Sequence, residues 1–184
     1  MTDLYQLPQT VTLEGVSYDL NTDFRVILKI FRAFADESMS PMLRWLVALR
    51  LFYRQPVPLC HRQAAMEYLG EFLRCGAEET PGEPLFCWQR DACAIIAGVN
   101  AAAGQEVRAA KYIHWWTFLG WFHAMPPGTF SAILSIRQKL RKGQKLQTHE
   151  QEFYRENKRL VDLRPPQDED TLREKDRLNA LLGK

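Results

Sequence analysis

The chain has 184 residues, of which 46% are hydrophobic and 25% are charged. This balance excludes a largely disordered chain, and the length suits one domain with a real hydrophobic core. The net charge of +2 is too small to indicate a nucleic-acid partner, although the charge is uneven: residues 137–184 carry 13 basic and 9 acidic side chains.

The chain begins with MTDLYQLPQTVTL, which lacks the basic stretch and apolar run of a secretion signal. No apolar run in the sequence is long enough to span a bilayer. We therefore expect a cytoplasmic protein that does not insert into a membrane. The cysteines show no CxxC spacing and are expected to be reduced thiols in that compartment. They are Cys60, Cys75, Cys87 and Cys93.

The N-terminal part predicts a β-hairpin and then three helices. Residues 10–20 alternate apolar and polar side chains around a Glu14-Gly15 turn. Two strands alone are marginal in water, so we expect the hairpin to lie on the helices or to pair with another chain. Capping signals and apolar residues at helical spacing predict three helices. They cover residues 23–35, residues 41 to about 52, and residues 60–75.

The middle of the chain predicts a loop and a pair of contrasting helices. Residues 76–84 (GAEETPGEP) are polar, acidic and interrupted by proline, which is typical of a loop. Residues 85–103 predict a helix rich in alanine, and residues 109–125 predict a helix with three tryptophans. Large side chains interdigitate well with small ones, so we expect these two helices to form an antiparallel pair joined near Gly104.

The aromatic helix is expected to lie at the centre of the domain. Its sequence is AAKYIHWWTFLGWFHAM, and a helix that is apolar on nearly all sides is normally surrounded by protein. Helical spacing places most of the large side chains on one face, namely Tyr112, Trp115, Trp116, Leu119 and Phe122. Phe118 and Trp121 fall roughly opposite. That second face indicates either a central core helix or an apolar groove for a helix of another chain.

The C-terminal part predicts three more helices of increasing charge. Pro126 and Pro127 end the aromatic helix, and residues 129–140 predict a sixth helix. Residues 148–163 predict a charged helix that opens with a capping box. After Pro165 and Pro166, a last charged helix is expected over residues 170–182.

These elements predict a mainly α-helical, single-domain bundle around the aromatic helix, with an N-terminal β-hairpin. We expect residues 1–164 to form the helical domain. Residues 165–184 are expected to form a charged helical tail that becomes ordered against a partner.

No pattern of catalytic or metal-ligating residues stands out. Cys60, His61 and Cys75 lack both a fourth ligand and the spacing of a closed zinc site. A nucleophilic pair of His114 or His123 with a cysteine would lack a strained elbow, a glycine-rich oxyanion loop and an orienting acid. We therefore expect no catalytic residue, no bound metal and no cofactor.

A run of basic residues surrounds the end of the sixth helix. Its members are Arg137, Lys139, Arg141, Lys142 and Lys145. Aromatic side chains are not interleaved with them, and acidic residues resume directly afterwards, so the pattern is not that of a nucleic-acid site. Because cations suit the negative end of a helix dipole, we expect a solvated helix end.

Three stretches resemble one family of bacteriophage tail proteins, the "gene product fifteen" type. They are YDLNTDFRV at residues 18–26, IHWWTFL at residues 113–119 with ILSIR at residues 133–137, and the charged stretch 152–163. The family is encoded in the tail gene clusters of long-tailed phages and prophages, just ahead of the tape-measure gene. The resemblance covers about residues 11–163, and the HWW-x-F core is its most specific part.

The resemblance implies a tail-assembly chaperone or accessory protein that binds the tape-measure protein, other tail proteins or itself. On this interpretation the partner contacts come from the aromatic helix, its surroundings and the C-terminal helices. The residues expected to make them are Phe118, Trp121, Trp88, Leu160, Leu172 and Leu178. The alternatives are a structural virion component, such as a tail-completion or connector protein, and a small cytosolic enzyme with an unrecognised pocket.

Overall fold

A computed structural model describes residues 6–75 and 84–162. The fold is mainly α-helical with an N-terminal two-stranded antiparallel sheet, which confirms the predicted fold class. The predicted loop at residues 76–84, apart from Pro84, and the predicted tail at residues 165–184 lie outside the described residues.

The helices run in the following order. They are α1 (Phe24–Ala35), α2 (Pro41–Phe52), α3 (Arg62–Arg74), α4 (Ala92–Ala103), α5 (Trp115–His123), α6 (Thr129–Arg141), α7 (Thr148–Glu156) and α8 (Lys158–Val161). A short 3-10 helix (Leu59–His61) leads into α3.

The N-terminal hairpin forms as its alternation predicts. Strand β1 (Thr10–Leu13) pairs antiparallel with β2 (Val16–Asp19). Glu14 and Gly15 both have positive φ, 47° and 81°, which suits the two-residue turn of a twisted hairpin.

The aromatic helix is shorter than predicted and begins at Trp115, not near residue 109. The chain is extended up to His114, whose Nδ1 accepts a hydrogen bond from the backbone N–H of Trp116, in the first turn of α5, at 3.1 Å. His114 is therefore the N-cap of α5. Tyr112 precedes the helix and is 48% exposed, so its predicted place on the buried face is wrong.

Two other helix boundaries also differ from prediction. Helix α4 begins at Ala92, seven residues later than expected. Before it, the carbonyl of Leu85 accepts from Arg137 and the N–H of Cys87 donates to Asp91. The charged helix expected over residues 148–163 is broken at Asn157 into α7 and α8. The predicted packing of α4 against α5 is found.

The backbone leading into α1 is paired on one side with the end of α2. The N–H of Asn21 donates to the carbonyl of Phe52 at 2.7 Å, and the N–H of Arg54 donates to the carbonyl of Asp19 at 2.9 Å. The hairpin is thereby fixed to the helices, as its marginal stability alone requires.

The same segment is paired on its other side with the start of α5. The N–H of Phe24 donates to the carbonyl of Ile113 at 3.0 Å, and the N–H of Trp115 donates to the carbonyl of Thr22 at 2.7 Å. We call residues 19–24 the junction segment, because they join the hairpin, α2 and α5. The family-like stretches at residues 18–26 and 113–119 thus meet in space.

Asp23 and Arg25 reinforce this junction with side-chain bonds. Asp23 caps α1 by accepting from the N–H of Arg25 at 2.9 Å, and its second oxygen accepts from the N–H of Ile113 at 3.3 Å. The guanidinium of Arg25 pairs with Asp23 and also donates to the carbonyls of Val107 and Ala110. The irregular connection between α4 and α5 is therefore bonded to the start of α1.

The two tryptophans at the start of α5 are hydrogen-bonded to the end of α3. Trp115 and Trp116 are buried, and their indole N–H groups donate to the carbonyls of Leu73 at 3.0 Å and Phe72 at 2.9 Å. These carbonyls belong to the last turn of α3, where the regular i+4 donors are missing. The carbonyl of Phe72 also accepts from the backbone N–H of Cys75 at 3.2 Å. The ring of Phe118 stacks on Phe24 with centroids 4.4 Å apart.

A second polar centre holds the C-terminal helices. Arg137 is buried, and its guanidinium pairs with both carboxylate oxygens of Asp91 at 2.7 and 2.8 Å. Its remaining N–H groups donate to the carbonyls of Leu85, Leu160 and Val161. Since all five donors of the guanidinium are used, Arg137 joins α6 to α4 and α8.

Replacing Arg137 tests this centre. Arg137→Met leaves the Asp91 carboxylate buried without its cation, and loss of one partner of a buried pair costs roughly 3–5 kcal/mol. We expect the free energy of unfolding in urea to fall by that amount. Lys139→Met on the same helix removes a more exposed partner of Glu150 and should cost much less. Equal losses in the two variants would contradict the role given to Arg137.

The cap at His114 predicts a pH dependence. Burial lowers the pKa of His114, because the protonated ring is poorly solvated there. Nδ1 must stay unprotonated to accept from Trp116, so Nε2 carries the proton and donates to the carbonyl of Pro8 at 3.2 Å. Below the unfolded pKa of about 6.5 the unfolded chain binds more protons, and stability should fall as the pH drops.

The measurement is urea unfolding between pH 8 and pH 5, with His114→Asn as the control. Asparagine is a good N-cap but does not titrate in this range, so the variant should lose the His114 component of the pH dependence. The other histidines are unchanged in both proteins. Identical pH profiles would show that His114 does not contribute.

Candidate functional site

An open apolar cleft lies between α4, α5 and α6. Its volume is about 410 Å³. One wall is the small-residue face of α4, and the others come from α5, α6 and the turn between them. The main lining residues are Ala94, Ala97, Gly98, Ala101, Phe122, Met125, Phe130 and Leu134. We call this the α4–α6 cleft.

The base of the cleft is a set of aromatic rings in mutual contact. The ring of Phe86 lies 5.4 Å from Phe122 and 5.7 Å from Phe130, and Phe122 lies 4.9 Å from Trp88. Edge and tilted contacts at these distances stabilise the rings beyond the area they bury. The base is therefore preformed, and a ligand can bind without first ordering it.

Gly98 explains how α4 approaches the end of α5 so closely. A Cβ at this position would lie 2.4 Å from the Sδ of Met125, so the thioether occupies the space that a side chain would need. Methionine is flexible and fills irregular gaps. The wall at Met125 can thus adapt its shape, whereas Ala97 and Ala101 leave their part of the wall open and exposed.

A second concavity lies on the other side of the α5–α6 turn. It has a volume of about 480 Å³ and shares Pro127, Gly128 and Ser131 with the α4–α6 cleft. Its far wall is the start of α7, including His149, Glu150 and Phe153. The two hollows therefore lie on either side of the turn that joins α5 to α6.

The residues predicted to contact a partner have different positions. Phe118 is fully buried, so it offers no surface for a partner in this fold. Trp88 is partly buried and lies among the rings of Phe31, Phe86 and Phe122. Trp121 is partly buried against the core and does not line the α4–α6 cleft.

Of the partner contacts predicted in the C-terminal helices, one lies among the described residues. Leu160 on α8 is 50% exposed, while its carbonyl accepts from Arg137. Leu172 and Leu178 lie outside the described residues. Sequence reasoning missed Ala97, Ala101 and Leu134 as lining of the cleft. For the two alanines, small size at helical spacing on α4 was the available signal.

Two of the polar side chains considered for chemistry, His114 and Cys87, are hydrogen-bonded within the fold, whereas His123 is exposed and lines the α4–α6 cleft. Both ring nitrogens of His114 are hydrogen-bonded, and the thiol of Cys87 donates to Gln89 at 3.2 Å. Burial raises the pKa of Cys75, which disfavours its thiolate. Within residues 6–75 and 84–162, no group of three His, Cys, Asp or Glu side chains could hold a metal ion.

The basic run at the end of α6 is divided between the interior and the surface. Arg137 is buried, so its prediction as part of a solvated helix end is wrong. Lys139 pairs with Glu150 at 2.6 Å, and this cation lowers the pKa of the carboxyl. Lys142 and Lys145 are exposed.

Among the described residues, no helix is both long and apolar enough to cross a bilayer.

The openness of the cleft can be tested with a fluorescent apolar probe. Anilinonaphthalene sulfonate brightens when it binds exposed apolar surface, and we expect it to bind the native protein. Ala101→Glu should lower the signal at least severalfold, because the carboxylate would occupy the cleft and repel the sulfonate of the probe. Ala109→Glu makes the same change at an exposed site outside the cleft and should keep the signal. Equal brightness in both variants would place the binding elsewhere.

Comparison with known proteins supports one assignment. The family model described as "Bacteriophage Gp15 protein" matches residues 2–163. No curated protein and no solved structure matches the chain. The match includes the junction segment, α5 and the residues that line the α4–α6 cleft. The chain therefore belongs to the bacteriophage Gp15 protein family, whose members are phage structural or assembly-related proteins.

Proposed function

We propose that this protein is a cytoplasmic tail-assembly chaperone that binds the tape-measure protein of its phage and keeps it soluble until the tail tube forms around it. The observation that carries the proposal is the α4–α6 cleft in a member of the bacteriophage Gp15 family. A tape-measure protein is a long helical polypeptide with apolar faces, and a chaperone for it needs an apolar surface.

The shape and chemistry of the cleft suit a helix of another chain. Helix-in-groove recognition places the apolar face of an amphipathic helix against a hydrophobic depression. Ala97 and Ala101 lie one turn apart on α4 and would let a client backbone approach closely. Phe122 and Leu134 provide the apolar contact, and Met125 provides a wall that can repack against different side chains.

Adaptability matters because such a client presents many similar segments. A surface that accepts leucine, isoleucine or alanine at one position can bind repeatedly along the same helix. The second concavity, beyond Pro127, offers Phe153 on α7 beside the polar side chains of His149 and Glu150. A client helix longer than the first cleft could therefore continue across the turn.

Co-expression with the tape-measure protein encoded by the same phage genome tests the proposal. We expect the client to be soluble only with this chain and to co-purify with it. Ala97→Arg and Ala101→Arg should each lower the co-purified client at least tenfold, since a charge in an apolar contact is poorly solvated. Ala109→Arg should behave as the unmodified protein. A client that is insoluble with and without this chain would count against the proposal.

The composition of purified particles separates a chaperone from a virion component. A chaperone leaves before the particle is complete, so mass spectrometry of mature phage should find the tape-measure protein without this chain. A stoichiometric amount of this chain in the particles would favour the structural alternative. The cleft would then be an interface between tail proteins.

A further inference from the structure

A second surface, on α2 and the start of α3, combines exposed apolar side chains with an excess of arginine. Residues 38–66 contain four arginines and no aspartate or glutamate. Three of the most exposed large apolar residues lie in the same stretch: Met42 is 63% exposed, Leu43 is 45% exposed and Leu59 is 77% exposed. Neither the α4–α6 cleft nor the basic run on α6 includes them.

This surface contains a groove of its own. A hollow of about 180 Å³ lies between α2 and the chain that follows it. Its apolar lining is Leu46, Leu49, Pro56 and Val57, and the guanidinium-bearing Arg50 and Arg62 border it. A volume of this size accepts one large aliphatic side chain.

The two arginines at the groove have no carboxylate partner within the described residues. Of the two acids that flank the stretch in sequence, Glu37 is exposed and Glu67 has a hydrogen-bond partner of its own, as does Asp19 on the hairpin. Asp19 accepts from Gln55 at 2.7 Å, and Glu67 accepts from Gln63 at 2.6 Å. Arg44 is different, because it donates to the carbonyl of Met39 and lies near Asp36.

We propose that this surface binds an acidic amphipathic helix of a partner protein. One leucine-like side chain would enter the groove, and carboxylates of the same helix would pair with Arg50 and Arg62. Arginine suits this role because its planar fork binds a carboxylate through two parallel hydrogen bonds. Met42, Leu43 and Leu59 would extend the apolar contact beyond the groove.

The geometry favours a peptide over the other anionic partners. Proteins bind a membrane surface through protruding apolar and basic groups, whereas the central feature of this surface is a hollow bordered by two arginines. Nucleic-acid sites without sequence preference present aromatic rings for base stacking, and the groove lining contains none. The proposed surface is independent of the identity of the α4–α6 client.

The test uses two fluorescein-labelled 18-residue helical peptides with leucine at every third or fourth position. One carries glutamate on the flanking positions and the other carries lysine. Anisotropy with the full-length protein should show binding of the glutamate peptide at least tenfold tighter than that of the lysine peptide. Arg50→Glu and Arg62→Glu should each weaken it at least fivefold, while Arg90→Glu, an exposed control outside the surface, should not.

Three outcomes would overturn the proposal. The first is no binding of the glutamate peptide at 100 μM, and the second is binding that Arg50→Glu and Arg62→Glu leave unchanged. The third comes from flotation with vesicles that contain 30% phosphatidylserine. If the protein floats with the vesicles, both arginine variants do not, and the glutamate peptide does not bind, the surface binds a membrane instead. Circular dichroism of each variant verifies that the fold is retained.

Discussion

The backbone pairing between the junction segment and the start of α5 is the constraint on which the rest of the structure depends. It brings together residues about 90 positions apart, including Asp23 and Ile113. The hairpin, α1, α3 and α5 all meet at this point, because His114 caps α5 and the indoles of Trp115 and Trp116 cap the end of α3. The histidine and the two tryptophans therefore each supply a hydrogen bond that no apolar residue could replace, which gives a physical meaning to the HWW stretch.

Local signals predicted much of the fold, and long-range bonds account for most of the errors. The hairpin and α1 follow from a turn and a cap, which neighbouring residues determine. Residues 109–114 have helical periodicity, yet they are irregular because Asp23, Thr22 and Arg25 bind their backbone and side chains. Arg137 looked like part of a charged surface, yet it is buried through contacts with Asp91, 46 residues away, and with the carbonyls of distant residues.

The candidate site was harder to predict than the fold for a related reason. The alanines of α4 correctly indicated a close helix neighbour, but α5 is too short to cover all of them. Ala97 and Ala101 stay exposed because the chain turns away at residues 126–128. The rings that looked available, Phe118 and Trp88, instead pack against Phe24, Phe31 and Phe122. The cleft is therefore open because α5 ends early, and the apolar periodicity of the sequence does not predict where that helix ends.

A rigid body with small apolar hollows suits weak, reversible binding. Interfaces that bury little area and require no folding of the receptor tend to be transient, since few contacts must break on release. The ring contacts below the α4–α6 cleft and the saturated guanidinium of Arg137 hold the receptor in one shape. A chaperone of the proposed kind must release its client as the tail tube forms. Many weak contacts along one long helix would protect it collectively, and each could be displaced singly by a growing tube.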